Sequence, residues 1–313
     1  MHPGFSVIFL TTLIGAGQGL FLALYATELA ALAQVFSPRP DAAFWVGGSV
    51  VSLLLVAAGA VASLFHLGHP ERAWRAMAMW RTSWLSREGI ALIAFGGVVF
   101  AYGLAHWRGW PGSVAIGAVG ALLCITLFVC TGMIYACIRF LQEWASPLTV
   151  ANFVLLGCAC GLTLASAYAA FAAEPLAGAY AVAAMVFTLL GLGTRSASLL
   201  RNARLKPKST LQSATGIHHP RIVQKSQGFT GSSYNTREFF HRRSAALLRQ
   251  VKWAFLVLAF AVPLALLALG LRHGSGVLLA AAFVVQYVGL IAERWFFFAQ
   301  ANHPQNLYYQ AVS

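Results

Sequence analysis

Charged side chains are scarce in this sequence, 9% of 313 residues, where a soluble domain carries about a quarter. That shortage excludes a water-soluble globule, because so few ionised groups cannot cover a surface facing water. Acids are scarcer than bases: 8 Asp and Glu stand against 21 Lys and Arg, a net charge of +13. Cysteine is sparse as well. All five (Cys124, Cys130, Cys137, Cys158, Cys160) lie in apolar stretches, and none forms CxxC or CxxCH. That spacing argues against disulfides, iron–sulfur ligation and covalent haem on this chain. No basic segment precedes the first apolar run, Met1 to Thr27, so no cleavable signal peptide is expected.

What the sequence has in abundance is apolar surface: 59% of residues are hydrophobic and the mean hydropathy is +0.72. The expectation is an all-α integral membrane protein, since backbone groups in lipid must be satisfied within each segment. A span needs about 20 mostly apolar residues. Reading between charges predicts eight transmembrane helices, at 5–34, 43–66, 88–107, 112–138, 148–172, 175–194, 253–271 and 275–298. They form one membrane domain over 1–313, with a basic loop at 195–252 between the sixth and seventh.

An even number of spans puts both termini on one side. On that side fall 18 basic residues, among them Arg72, Arg75, Arg81, Arg87, Arg139 and Arg294, against 3 (Arg39, Arg108, Arg272) on the other. The positive-inside rule then makes both termini cytoplasmic. The same excess charge is explained by such loops rather than by nucleic-acid binding, and no nucleic-acid partner is expected. Seven of nine tryptophans lie close to predicted helix ends, as an aromatic belt requires.

The loop His66–Glu88 carries the densest chemistry, with two histidines, four arginines, two glutamates and three tryptophans in 23 residues. Pro70 ends the second helix, and Ser86-Arg87-Glu88 reads as the polar cap of the third. His66 and Glu88 are thereby placed at helix ends near the membrane boundary, the depth of a quinone head group whose isoprenoid tail stays in lipid. A histidine titrates near pH 6.5 and can exchange a proton with a quinone oxygen, and a half-buried carboxylate can relay it. The plain alternative is that His66 caps a helix and Glu88 pairs with Arg87 or Arg72. Haem held between two histidines needs both deep in facing spans. His106, His273, His66 and His303 all fall at boundaries, so no haem and no metal ligands are expected. Gly15 and Gly19, like Gly157 and Gly161, have the small-xxx-small spacing of close helix packing. Glu28 and Glu174 read as ordinary interfacial residues.

Three segments carry a family resemblance: MHPGFSVIFLTTLIGAGQGL at the start, FHLGHPERAWRAMAMWRTSWLSREG in the middle and ERWFFFAQANHPQNLYY at the end. They resemble the membrane anchor subunit of dimethyl sulfoxide reductase-type enzymes over nearly the whole chain. The resemblance implies eight spans, no haem, and two extrinsic partners. One is a ferredoxin-like subunit with iron–sulfur clusters; the other is a catalytic subunit with molybdopterin. It also implies electron exchange with a membrane quinone, ubiquinone or menaquinone, and no substrate-oxidising centre on this chain. The family's quinone-linked histidine matches His66 and its important glutamate matches Glu88. Arg72, Arg81, Ser86 and Arg87 complete the expected quinone site, the arginines by stabilising negative charge on the head group. In dimethyl sulfoxide reductase itself this end of the anchor faces outward. The charge bias here puts it in the cytoplasm, as in sulfite-oxidising relatives whose long basic loop the segment STLQSATGIHHPRIVQKSQGFTGSSYNTREFFHRRS also resembles. The implied role is quinone reduction during sulfite oxidation to sulfate. The alternatives are quinol oxidation for an S- or N-oxide reductase and, more distantly, a transporter or proton pump. The latter would place ionisable groups deep in its spans, where this sequence shows its charges only at span ends.

Overall fold

The computed structural model describes residues 1–35, 39–223, 225, 237–240 and 243–308. Eight of its helices are long and apolar enough to cross a membrane: α1 (Phe5–Leu32), α2 (Ala42–Leu64), α3 (Trp84–Arg108), α4 (Ser113–Ala136), α5 (Pro147–Ala172), α6 (Glu174–Ala203), α8 (Ala245–His273) and α9 (Gly276–Ala299). A short helix, α7 (Leu211–Thr215), lies between α6 and α8. No strand occurs among the described residues. Met1 donates its amino group to the Ala301 carbonyl at 2.7 Å, so the start of α1 and the end of α9 meet at one end of the bundle, called here the terminal face.

Local chemistry sets the helix limits. Asp41, Ser83, Ser146 and Ser275 each accept a backbone N–H in the first turn of α2, α3, α5 and α9, the bond that N-cap side chains supply. Gly109 and Gly274 end α3 and α8 at φ +65° and +60°, a left-handed turn that costs a glycine little. Pro263, inside α8, has no N–H for the Ala259 carbonyl, and α8 widens into a π-turn at Val257–Ala261. Gln286 of α9 donates to the freed Ala259 oxygen at 3.4 Å. Gly289 lets the two backbones touch there, because a Cβ on it would lie 2.2 Å from the Ala259 nitrogen.

α1 is the spine. On one side it packs with α2, α3 and α4 around Phe21, Phe95, Tyr102, Leu127 and Phe128. On the other it crosses α5 through the two glycine pairs. A Cβ on Gly19 would meet the Gly157 carbonyl at 2.5 Å, and one on Gly161 would meet Gly19 Cα at 2.3 Å. The small-xxx-small reading is thus a real backbone crossing. Leu54, Ile93, Phe100, Leu122, Leu189 and Val284 are exposed on the outside, as a lipid-facing surface requires.

Three expectations need correction. The sixth span does not stop at 194 but continues to Ala203, and the seventh starts at Ala245 rather than 253. The connection is therefore 204–244 rather than 195–252, and residues 224, 226–236 and 241–242 within it lie outside the described residues. The cause is Arg195, which reads as a loop cation but is 1% exposed. Its Nε lies 2.7 Å from Glu293 Oε1, and Glu293 Oε2 accepts from Arg294 Nη1 at 2.9 Å. Arg294 sits 3.8 Å over the Phe153 ring, and Arg195 lies near the Phe255 and Phe296 rings. Arg195 and Arg294 accordingly leave the count of aqueous cations, and charge is not confined to span ends. The cationic excess at the terminal face stands without them. Lastly, α3 starts at Trp84, capped by Ser83, so Glu88 lies in its second turn rather than at its start.

Candidate functional site

A groove of about 450 Å³ opens between α3 and α4 in their terminal-face halves. Trp80, Trp84 and Arg87 form its mouth, and Ile90, Ala94, Leu123, Ile125 and Val129 form its walls. Thr126, also in the lining, donates its hydroxyl to the Leu122 carbonyl, so the walls are effectively apolar. The mouth is rigid for a definite reason. Arg87 donates through Nε to the Trp80 carbonyl at 2.9 Å and through Nη2 to the Arg81 carbonyl at 2.7 Å. Its guanidinium also lies 4.4 Å from the centre of the Trp84 ring, a cation–π contact. Nη1 makes no hydrogen bond among the described residues.

Glu88 stands beside the groove rather than in its lining. It is 7% exposed, and its Oε1 accepts the Thr131 hydroxyl of α4 at 2.5 Å. Ala91, a turn further along α3, and Cys130, next to Thr131, both line the groove. Ser86 is buried but turned away: its hydroxyl donates to the Ala76 carbonyl at 2.5 Å, tying the 3-10 turn Pro70–Met77 to α3. Arg72 pairs with Glu71 at 3.6 Å. Arg81 lies over the Trp80 ring at 5.4 Å.

His66 sits on the exposed turn after α2, its backbone N–H bonded to the Ser63 carbonyl. Partial burial holds its imidazole below the ordinary pKa of 6.5. Among the described residues no hydrogen bond or ion pair joins it to Glu88. The structure therefore brings Arg87 and Glu88 to the groove and leaves His66, Arg72, Arg81 and Ser86 out of its lining. Sequence reasoning missed Thr131, a lone hydroxyl in an apolar span, and the role of Trp80 and Trp84, although the clustering of tryptophans in this loop was its visible signal.

An eight-span helical bundle with an interfacial groove defines a class of membrane subunit, and sequence comparison says which. The chain belongs to the DMSO reductase anchor subunit (DmsC) family, whose model matches residues 1–300. Over the full length of both proteins it is 54% identical to a sulfite dehydrogenase subunit from Allochromatium vinosum. It is thus a multi-pass membrane anchor of an oxidoreductase family whose complexes include catalytic and iron–sulfur subunits.

Proposed function

We propose that this chain is the quinone-reactive anchor of a sulfite dehydrogenase, passing electrons from a cytoplasmic iron–sulfur subunit to the quinone pool. The groove carries this reading. Its apolar walls match an isoprenoid tail, its cationic mouth matches a head-group oxygen, and a buried carboxyl stands one helical turn away. A quinone bound there would supply two-electron, two-proton redox chemistry. Arg87, fixed by two backbone carbonyls and Trp84, offers Nη1 as a donor to an oxygen at the mouth. Thr131 holds one oxygen of Glu88 and leaves Oε2 to give or take a proton. His66, held toward its neutral form, exchanges protons with water at the terminal face, while Arg72 and Arg81 raise the local positive potential. Ser86 fixes the 3-10 turn Pro70–Met77 against the start of α3.

The basic terminal face is the cytoplasmic one by the positive-inside rule, and it is where an iron–sulfur and a molybdopterin subunit would dock. The relative's name favours sulfite as the electron source, whereas the family's description favours the reverse reaction, quinol oxidation for S-oxide reduction. Host membranes with and without the gene separate the two. Loss of sulfite-dependent reduction of a ubiquinone analogue, with artificial-acceptor activity retained, supports the first. No change on deletion makes quinol-dependent S-oxide reduction the reading to test. His66→Ala slows quinone-coupled turnover if His66 carries protons between water and the site; unchanged turnover removes that role.

A further inference from the structure

The most unusual polar cluster lies at the opposite end of α1–α4. Glu28, near the end of α1, is 6% exposed. Its Oε1 accepts the Ser113 hydroxyl of α4 at 2.5 Å and lies 3.4 Å from His106 Nε2 of α3. The imidazole is clamped: Trp45 of α2 stacks on it at 4.9 Å, and the Tyr102 ring meets it edge-on at 4.6 Å. Glu28 Oε2, His106 Nε2 and the Tyr102 hydroxyl are all buried without a hydrogen-bond partner among the described residues. So is the Ser49 hydroxyl of α2, which faces α3 across Gly103. Deeper still, Ser52 donates to the Gly17 carbonyl and Gln18 to the Cys124 carbonyl, about 15 Å below Glu28 by helical rise.

Four buried polar atoms without partners in one half of a four-helix unit are costly. Buried polar atoms of this kind are normally satisfied by ordered water. From this cluster we infer that Glu28 and His106 form a proton-exchange site open to the face opposite the termini, with water reaching inward past Tyr102 and Ser49. A carboxyl and an imidazole 3.4 Å apart are close enough to pass a proton between them, and Ser113 holds the carboxyl oriented. The groups facing Glu28 are His106 and Tyr102 from α3 and Ser113 from α4, with Tyr25 of its own helix beside Tyr102 and Gly117. Tyr180 of α6, bonded to the neighbouring Thr27 at 2.5 Å, closes that side. The apolar layer of Phe95, Leu127 and Phe128 separates this site from Glu88, so it stands whether or not the groove holds a quinone.

The test is infrared difference spectroscopy of the full-length chain in vesicles, oriented by a C-terminal tag, with pH changed on one face at a time. The expected result is a carboxyl band that follows pH on the face opposite the termini. It is lost in Glu28→Gln, kept in Glu88→Gln and answers several-fold more slowly in Tyr102→Phe. Should Glu28→Gln not fold, Ser113→Ala leaves the carboxyl in place and shifts the band's midpoint upward, because a bond to the charged form is gone. A band that ignores both substitutions, or that follows pH on the terminal face, overturns the inference.

Discussion

Two glutamates near the terminal face are almost equally buried and are treated in opposite ways. Glu293 is held between Arg195 and Arg294 over aromatic rings, with both oxygens committed to cations. Glu88 has a single neutral hydroxyl partner and a groove beside it. A carboxylate held between two guanidiniums is a poor proton carrier, because protonating it would leave two buried cations without a counter-charge. One with a single hydroxyl donor can change state at small cost. The contrast teaches that burial of charge alone does not mark chemistry; the partners decide.

The largest effect expected from breaking that contrast is on folding. Glu293→Ala leaves two buried arginines unpaired and costs about 3–5 kcal/mol, read as a lowered melting temperature or failed accumulation. Replacing all three members by apolar residues of similar volume restores most of that stability. Glu88→Gln, by contrast, keeps the Thr131 bond and the melting temperature, while quinone-linked turnover falls about 10²-fold or more. If Glu88→Gln unfolds the protein as Glu293→Ala does, the distinction fails. Thr131→Val sharpens it: the lost bond is worth about 1.5–3 kcal/mol where its partner is charged. The pH profile of turnover then moves upward, and Thr131→Ser returns it.

The smallest effects concern pH at the terminal face. The Met1 amino group is lowered from 8.0 to about 6, chiefly by burial, with Glu143 opposing. Between those values the unfolded chain binds the proton and the folded chain does not. This group's contribution to stability is therefore fully present above pH 8 and is lost as pH falls toward 6. His66 has the same sign, from 6.5 downward. Nitrogen-15 shifts of Met1 and His66 follow both titrations, and an amino group that titrates at 8.0 removes the first.

The contrast also marks how far the sequence could be read. Eight spans were legible because apolar runs between charges are local signals. Where a charge lies inside a span, that signal misleads: Arg195 reads as a loop until Glu293, distant in sequence, is seen beside it. Glu88 was legible as a candidate from its place among arginines and tryptophans, but its depth was not, because Thr131 lies on another helix. The same holds for Glu28, whose interfacial reading gave no hint of His106 and Ser113. Pairings across helices decide what a membrane carboxyl does, and none of them is written in a local pattern.

The crossing of α1 and α5 at Gly19 and Gly161 has a bearing on biogenesis. Synthesis runs from the N-terminus, so α1 enters the bilayer before its glycine partner has been made. More than a hundred residues separate the two faces, and until α5 arrives the glycine groove of α1 has no close-fitting neighbour. A bulky residue at either position would be tolerated by insertion and rejected only at this later meeting. Such a variant should accumulate as a correctly inserted chain with α1–α4 assembled and the second half undocked.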